Sequence, residues 1–265
     1  MPTVPSEGWG VLHLFFHFRR AMLEDPVHAA GDFIQRVKEL DGREDYQVIP
    51  FSVLGQKADL GLMLLGPDLD VLDAFATELV NTPLGAGLAP AASYVSLTEG
   101  SEYTSTRDDE RARLIDAEGM AADSSELEDA LKAFDERMAT YTQHRLYPDL
   151  PRKKVIGFYP MSKKREVGAN WFALPFEERK AIMAGHAKVG RSYRGRVLQL
   201  ITGSTGLDDW EWGVTLFTDD PATLKEIVYE MRFDEASATY ADFGPFVTGL
   251  VMEPEQLVRR LGLQG

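Results

Sequence analysis

The sequence repeats itself at a separation of 152 residues, and this repeat constrains the fold more than any other feature. A shift without gaps places residues 61–65 (GLMLL) on residues 213–217 (GVTLF) and then residues 94–95 on 246–247. Apolar residues at helical spacing are superposed by the same shift: Leu72, Phe75 and Leu79 lie on Leu224, Ile227 and Met231. We therefore expect two copies of one structural unit.

Each half is predicted to run strand, helix, strand, strand, helix, strand. In the first half the predicted strands are 10–18, 46–54, 60–65 and 94–97, and the predicted helices are 26–40 and 70–79. This order is typical of a ferredoxin-like unit. Two tandem units predict an α+β fold whose antiparallel sheets close against one another.

The halves are predicted to span residues 1–103 and 153–265, with a connector at 104–152. The stretch 104–140 is charged, helix-forming and poor in aromatic residues, which indicates a partly helical and mostly solvated segment. Residues 254–263 are predicted to form a short terminal helix.

Composition excludes several classes of function. With 28 basic and 42 acidic residues the formal charge is −14, which disfavours nucleic acid and anionic membranes as partners. The absence of cysteine excludes disulfides, zinc–thiolate sites and iron–sulfur ligation. No signal peptide or apolar run of about 18 residues is evident, so we expect a cytoplasmic protein.

The first candidate site residue is a histidine on a predicted helix. Ile182, His186, Val189 and Tyr193 recur at spacings of four, three and four, which places the imidazole on an inward-facing apolar stripe. Such a histidine is more often a hydrogen-bonded core residue than a ligand. Neutral imidazole is also the commonest protein ligand of haem iron, and without cysteine the axial ligands narrow to histidine, tyrosine or methionine.

Tyr159 and Lys163 stand four residues apart at the end of an apolar strand. They could form an aromatic cap and a solvated turn. Alternatively, the phenol could be oxidised or donate a proton while the ammonium holds a carboxylate. Gln199 interrupts the apolar strand 197–201, and a buried amide needs partners, so it marks either a core network or a ligand pocket.

Two further sets of residues have a structural and a functional interpretation. Arg145 and Arg232 could form weak surface ion pairs with neighbouring acids, or bind carboxylates in a bidentate manner. His13 and His17 would face the same side of a strand, as metal ligands can, but no third histidine or acid lies nearby in sequence. We therefore favour a structural role for these two histidines.

Four runs of residues, in order and at matching spacing, resemble the chlorite dismutase-like haem family. They are 158–165 (FYPMSKKR), 170–186 (NWFALPFEERKAIMAGH), 206–214 (GLDDWEWGV) and 229–246 (YEMRFDEASATYADFGPF). The chain is most similar to the coproheme decarboxylase branch of that family. The resemblance spans nearly the whole chain and is strongest over 153–246.

The resemblance implies a dimeric α+β barrel, assembled as a homopentamer, with the haem site in the second half. It implies that His186 is the proximal iron ligand and that Gln199 is the distal residue. Chlorite dismutases carry arginine at the distal position, so chlorite decomposition is not expected here. The other implied roles are a radical-forming tyrosine at Tyr159, a lysine beside the reactive propionate at Lys163, a pocket neighbour at Met161, and propionate anchors at Arg145, Arg232 and Ser237.

The implied reaction is the hydrogen peroxide-dependent decarboxylation of iron coproporphyrin III (coproheme) to haem b, through a tyrosyl radical. A ferrochelatase is the implied transient partner that delivers coproheme. The alternatives are a haem or coproheme carrier without turnover, and a chlorite dismutase-like haem peroxidase. Two positions depart from the family: Arg196 stands where relatives often have a glutamate near the proximal histidine, and Glu102 where some have a propionate-binding amide.

Overall fold

The first half of the chain has the predicted order of elements. The computed structural model describes residues 2–263. The first-half elements are β1 (Gly10–Phe18), α1 (Pro26–Asp41), β2 (Gln47–Val53), β3 (Leu60–Gly66), α2 (Leu69–Val80) and β4 (Leu88–Thr98). The strands lie in the order β4-β1-β3-β2, and every pair is antiparallel. This is the ferredoxin-like arrangement that the sequence predicts.

The connector forms a helical hairpin of α3 (Arg107–Asp116) and α4 (Ser125–Leu146). Thr106 caps α3 and Ser124 caps α4, each through its side-chain oxygen. A small cluster centred on Leu114, Leu127 and Leu131 holds the two helices together. Most of the remaining surface of the hairpin is exposed, in agreement with its charged sequence.

The second half repeats the arrangement with two additions. Its elements are β5 (Val155–Lys163), the hairpin β6 (Arg165–Glu166) and β7 (Ala169–Asn170), α5 (Phe176–Ser192), β8 (Val197–Gly203), β9 (Trp212–Thr218), α6 (Pro221–Met231), α7 (Glu235–Ala238), β10 (Ala241–Phe243), β11 (Val247–Val251) and α8 (Pro254–Arg260). The strand order β8-β9-β5-β11 matches the first half. The additional strand β10 pairs with residues 161–163 of β5, and β11 pairs with residues 155–158 on the same edge of β5. Within residues 2–263 no helix has the length and apolarity of a membrane span.

The 152-residue repeat is visible in the boundaries of the elements. β3 and β9 begin and end 152 residues apart, and α2 and α6 begin at the same separation. Asp68 caps α2 and Asp220 caps α6, again at that separation. The repeat in the sequence is therefore a repeat of structure, down to the capping carboxylates.

The two sheets close into one barrel, and the predicted dimeric α+β barrel is confirmed. β4 pairs with β8 on one seam, and β2 pairs with β11 on the other. Since β5 pairs with both β9 and β11, the ring of eight strands is complete and antiparallel throughout. Closure joins all eight strands in one ring, although the two seams pair at only two and three positions.

Side chains alternate between the barrel interior and outer layers that are covered by helices. The interior is an apolar cluster with members from both halves, including Val11, Phe15, Ile49, Phe51, Met63, Phe158, Leu200 and Phe217. An outer cluster packs under α1, α2 and α8 in the first half. A second outer cluster lies under α5 and α6 in the second half, and it contains Tyr159, Tyr193, Val214, Leu216 and Ile227.

Candidate active site

The alternation of β5 places three predicted site residues on one face. Phe158 points into the barrel interior, whereas Tyr159 belongs to the outer cluster of the second half and Met161 packs against that cluster. Lys163 follows at the same two-residue period, so it faces the same side as Tyr159 and Met161. The strand therefore presents a phenol, a thioether and an ammonium toward the layer of α5, α6 and α7.

Helix α5, which carries His186, is only loosely packed. None of its 17 residues is buried. Its half-buried residues lie on one stripe, and near the C-terminal end of that stripe Val189 and Tyr193 pack in the outer cluster with Tyr159. The predicted inward-facing stripe is therefore present, but the His186 side chain is still 29% exposed.

One imidazole nitrogen of His186 has a carboxylate partner, Asp234. His186 Nδ1 lies 3.0 Å from Asp234 Oδ2, and Asp234 also accepts hydrogen bonds from the backbone N–H and the hydroxyl of Ser237. Burial of Asp234 favours its neutral form, but the bonds from His186 and Ser237 outweigh this effect and hold its pKa below the usual value. Because an ionised carboxylate only accepts, Nδ1 carries a proton, and in the neutral tautomer Nε2 has the lone pair that a metal ion requires.

Arg196 does not contact His186 and is not needed to orient it. Its guanidinium lies 4.4 Å from the centroid of the Tyr193 ring and 3.6 Å from the Glu226 carboxylate. The carboxylate that orients His186 is therefore Asp234. From the sequence, Asp234 was only one of the neighbouring acids with which Arg232 could form a surface ion pair.

Lys163 is buried among aromatic and acidic groups. Its ammonium donates to the Ala236 carbonyl at 2.9 Å and lies 4.3 Å from the centroid of the Trp171 ring. Burial lowers the pKa of Lys163 to about 8, although the carboxylates of Asp234 and Glu211 oppose the shift. Lys163 therefore does not lie in a solvated turn, which was one of the two alternatives considered from the sequence. Near pH 8 its side chain is divided between the charged and the neutral form.

Tyr159 is held by an aromatic wall. Its ring stacks on Phe246 at 4.4 Å between centroids and meets Phe243 edge-on at 5.8 Å. Burial raises the pKa of Tyr159 well above its usual value of 10, while the charge of Arg232 acts in the opposite direction. No hydrogen bond from its hydroxyl is found among residues 2–263. The phenol is therefore neutral and available to a bound molecule.

Gln199 faces the same layer, from β8. Its side-chain amide donates to the Gly190 carbonyl of α5 at 3.2 Å, so the residue is a half-buried contact between strand and helix. The hydrogen bond satisfies one N–H of the amide and leaves the side-chain oxygen free to accept. The amide thus has both a structural role and spare capacity toward a ligand.

The predicted carboxylate anchors differ in their surroundings. Arg232 is exposed, and within the described part of the chain its guanidinium has no ion pair, so the alternative of a surface pair with Asp234 is not found. Ser237 is buried and gives its hydroxyl to Asp234. Arg145 lies at the end of α4, where its Nε donates to the Glu99 carbonyl at 3.3 Å.

Arg145 is connected through hydrogen bonds to the part of β9 that pairs with Met161. The carboxylate of Glu99 accepts a hydrogen bond from Trp212 Nε1 at 3.0 Å, and Trp212 is the β9 partner of Met161. Arg145 is therefore separated from Met161 by Glu99 and Trp212. The connector and the C-terminal half thus both contribute residues around this end of β5.

Two groups near Lys163 were missed by sequence reasoning. Glu211 is buried and accepts the Lys163 backbone N–H at 2.8 Å, and it also forms an ion pair with Arg165. Trp171, in a short turn before α5, supplies the ring beside the ammonium. In the sequence, the only indication of Glu211 was its position between two tryptophans, in the run 210–212. Its contact with Lys163 could not be predicted, because it depends on the pairing of β9 with β5.

The alternative of a metal site at His13 and His17 is not supported. His13 is fully buried in the barrel with Nε2 2.9 Å from the Thr215 hydroxyl, whereas the His17 side chain is 48% exposed, 3.7 Å from Asp59. A β-bulge at Phe15 and Phe16 interrupts the alternation between them. In the described part of the chain no group of three or more histidines and acids is placed to hold a metal ion.

Comparisons with known proteins point to one family. The sequence profile of the chlorite dismutase family matches residues 17–252. A provisionally named heme-binding protein of Natronomonas pharaonis is 38% identical over 265 residues, covering 97% of this chain and 41% of the relative. A provisionally named heme-binding protein of Haloquadratum walsbyi is 39% identical over 270 residues, covering 97% and 47%. The chain thus spans less than half the length of these curated relatives.

Solved structures agree with the fold. A heme-binding protein from Thermus thermophilus superposes with a TM-score of 0.78 at 33% identity, covering 99% of both chains. A variant of chlorite dismutase from Candidatus Nitrospira defluvii superposes with a TM-score of 0.73 at 19% identity, covering 98% of this chain and 97% of that one. The second match shows a shared fold.

Proposed function

The chain belongs to the chlorite dismutase family, and from that premise we propose that it is a peroxide-dependent coproheme decarboxylase. Its substrate is iron coproporphyrin III and its product is haem b. One observation carries the proposal: Tyr159 and Lys163 share the face of β5 that α5 covers, and α5 bears a histidine with a free Nε2. Oxidation and carboxylate binding are thereby brought to the same side of one sheet.

The residues present fit an iron porphyrin. His186 offers an imidazole oriented by Asp234, which is the usual arrangement for a metal-binding histidine. Helix α5 has no buried residue, so a flat apolar molecule entering between α5 and the sheet need not disrupt a tightly packed interface. Arg232 is an exposed cation that is free of ion pairs in residues 2–263, as an anchor for porphyrin carboxylates should be.

The reaction removes carbon dioxide from two propionates. Each propionate arm becomes a vinyl group by losing carbon dioxide, one proton and two electrons, and one hydrogen peroxide takes up two electrons and two protons to give two waters. The bound iron would supply the oxidising power of the peroxide. The residues of the chain then have to pass this oxidation to a carbon–hydrogen bond that no acid or base could break.

Tyr159 is suited to that transfer. Because burial raises the pKa of Tyr159, the resting side chain keeps its proton, and oxidation removes an electron together with that proton. The resulting tyrosyl radical would abstract a hydrogen atom from the β-carbon of the propionate and become a phenol again. The arm would then lose carbon dioxide together with its second electron, which the bound iron would take up. Phe246 and Phe243 hold the ring in place, so its oxygen is kept in one position relative to the substrate.

The other residues bind and orient. Lys163 holds the reacting carboxylate and can accept or release a proton near pH 8, since its pKa is about 8. Gln199 steadies the bound oxidant as a neutral amide, and Met161 forms part of the apolar wall. Arg145, Arg232 and Ser237 are proposed to anchor the remaining carboxylates; for Ser237 this requires its hydroxyl to leave Asp234 or to be shared with it.

Coproheme and peroxide, added to purified protein, provide the test. Wild type should give haem b, identified by mass, whereas Tyr159→Phe should bind coproheme with an unchanged Soret band and give no haem b. His186→Ala should lose the Soret shift. If Tyr159→Phe converts coproheme normally, the radical mechanism is refuted even though binding is intact.

A haem carrier without turnover is the second candidate, because the names of the relatives state heme binding alone. A carrier would bind coproheme and leave it unchanged with peroxide. Chlorite decomposition is disfavoured, since Gln199 provides a neutral amide where chlorite dismutases carry a cation. The homopentamer, the ferrochelatase contact and the cytoplasmic location belong to the proposal as further predictions.

A further inference from the structure

A carboxylate continues the pairing of β5 beyond the point where β9 ends. Pairing between β5 and β9 ends at Met161 and Trp212, two residues before the last residue of β5. Beyond this last pair, the backbone N–H of Lys163 donates to the carboxylate of Glu211, the residue before β9, at 2.8 Å. Glu211 thus adds one hydrogen bond to the ladder, at the residue whose ammonium lies in the site.

Both carboxylate oxygens of Glu211 are engaged, and its main chain is fixed as well. The residue is 6% exposed. Oε2 accepts from the Lys163 N–H, and Oε1 accepts from Arg165 Nη2 at 2.5 Å. The backbone N–H of Glu211 donates to the Met161 carbonyl at 3.1 Å, and its carbonyl accepts from the Ser204 N–H at 2.7 Å. A buried carboxylate is costly unless it is paired in this way, so Glu211 is an anion held in one position.

Lys163 is therefore held at both ends of its side chain. Its ammonium donates to the Ala236 carbonyl and lies over the Trp171 ring, while Glu211 fixes the main chain from which the side chain extends. A lysine side chain is flexible, so its ammonium has a defined position only when both ends are fixed. Arg165, the other partner of Glu211, lies 4.6 Å from the centroid of the Phe172 ring.

The charged groups around the Lys163 ammonium come from three elements. Burial lowers the pKa of Lys163, and the carboxylates of Asp234, before α7, and Glu211, before β9, raise it. Arg165 in β6 offsets part of the Glu211 charge, but its side chain is 63% exposed, so water screens it. Asp234 is engaged by His186, whereas Glu211 is bonded to Lys163 itself.

We propose that Glu211 is a positioning residue for Lys163: its carboxylate anchors the main chain from which the lysine extends and supplies a fixed negative charge near the ammonium. This inference rests on the proposed function, in which Lys163 holds the reacting carboxylate of the porphyrin. An ammonium that holds a carboxylate must keep its proton, and a fixed anion nearby favours that state. Glu211 acts through Lys163 and not on the porphyrin.

Lysine NMR tests the proposal on the protein without porphyrin. Protein with isotope-labelled lysine is titrated from neutral to alkaline pH, and the Lys163 signal is assigned by its absence from Lys163→Met. In wild type its midpoint should lie near pH 8. Glu211→Gln keeps an oxygen that can accept the Lys163 N–H but removes the charge, so the midpoint should fall by at least about 0.5 pH unit. An unchanged midpoint would overturn the proposal.

A matched control and a second measurement guard against a general structural effect. Glu166→Gln neutralises an exposed glutamate of β6 and should leave the midpoint unchanged. If Glu211→Gln fails to fold, as judged by its thermal transition, amide exchange in wild type decides. The Lys163 amide should exchange as slowly as the paired amides of β5. Exchange as fast as that of Val167, at the exposed tip between β6 and β7, would refute the anchoring role.

Coproheme binding separates this inference from the proposed function. In a Soret titration, the affinity of wild type should fall as the pH rises through about 8, and in Glu211→Gln the fall should occur at lower pH. If coproheme binds both proteins with the same pH dependence, the positioning role is refuted while the function stands. If wild type binds no porphyrin, the proposed function fails, and the NMR titration still decides whether Glu211 acts on Lys163.

Discussion

The burial of His13 should make the protein measurably less stable in mild acid. The ring is fully buried and stacks on Phe158 at 4.1 Å between centroids, with Nε2 bonded to the Thr215 hydroxyl at 2.9 Å. Nδ1 has no hydrogen-bond partner in the described chain. Burial lowers the pKa of His13 from 6.5 to about 3, because no acid beside the ring compensates a positive charge.

The direction of the effect follows from proton binding. In the unfolded chain the imidazole takes up a proton near pH 6.5, whereas in the folded chain it does so only near pH 3. Between these values the unfolded state binds more protons, so the free energy of unfolding falls by about 1.4 kcal/mol for each pH unit lost. This amounts to about 2 kcal/mol at pH 5 relative to pH 8, and to about 5 kcal/mol below pH 3.

Urea unfolding of wild type and His13→Leu at pH 8 and pH 5 measures the effect. Wild type should lose about 2 kcal/mol more than the variant between these pH values, because other groups titrate equally in both proteins. His28→Leu removes an exposed histidine of α1 and should behave like wild type. An identical pH dependence in wild type and His13→Leu would show that the buried imidazole does not resist protonation, and would refute the reasoning.

Three further predictions concern the site and the barrel. Asp234→Asn should weaken coproheme binding about 10-fold to 100-fold in a Soret titration, since His186 loses its carboxylate partner; unchanged affinity would exclude that role. In the pH series of the same titration, wild-type affinity should fall as the pH rises through about 8, the pKa of Lys163, and Lys163→Met should abolish that fall. Gly61→Ala should cost about 1–3 kcal/mol in urea unfolding, because the added carbon would lie 2.2 Å from a core phenylalanine ring; no loss would mean that the ring can move freely.

Much of the fold could be predicted from the sequence because the information is local and repeated. The apolar pattern of β3 reappears in β9, 152 residues later, and each strand is followed by a capped helix. The strand and helix boundaries predicted for one half can therefore be tested against those of the other half. The closure of the two sheets followed from the tandem units, since antiparallel sheets with one buried face need a partner. A limit appears at β1, where a bulge at Phe15 and Phe16 breaks the two-residue period and separates the surroundings of His13 and His17.

The candidate site was predictable only where its residues share one element. Tyr159, Met161 and Lys163 follow the period of a single strand, so their common face could be read directly. The partner of His186 could not, because Asp234 is 48 residues away and approaches through the packing of α7 against α5. Loose packing of α5 was also not foreseen, since an apolar stripe reveals which side of a helix faces inward but not how closely it is covered.

The seams between the two halves are much shorter than the ladders within them. β4 and β8 pair at two positions, Leu97 with Gly203 and Thr98 with Thr202, and β2 and β11 pair at three. Few main-chain amides therefore hold the halves in place, and the shared interior side chains set their relative orientation. Deuterium should therefore exchange into the seam amides well before it exchanges into those of β3 or β9. For the same reason, a substitution at a single interior aromatic residue should change the angle between the halves without unfolding either.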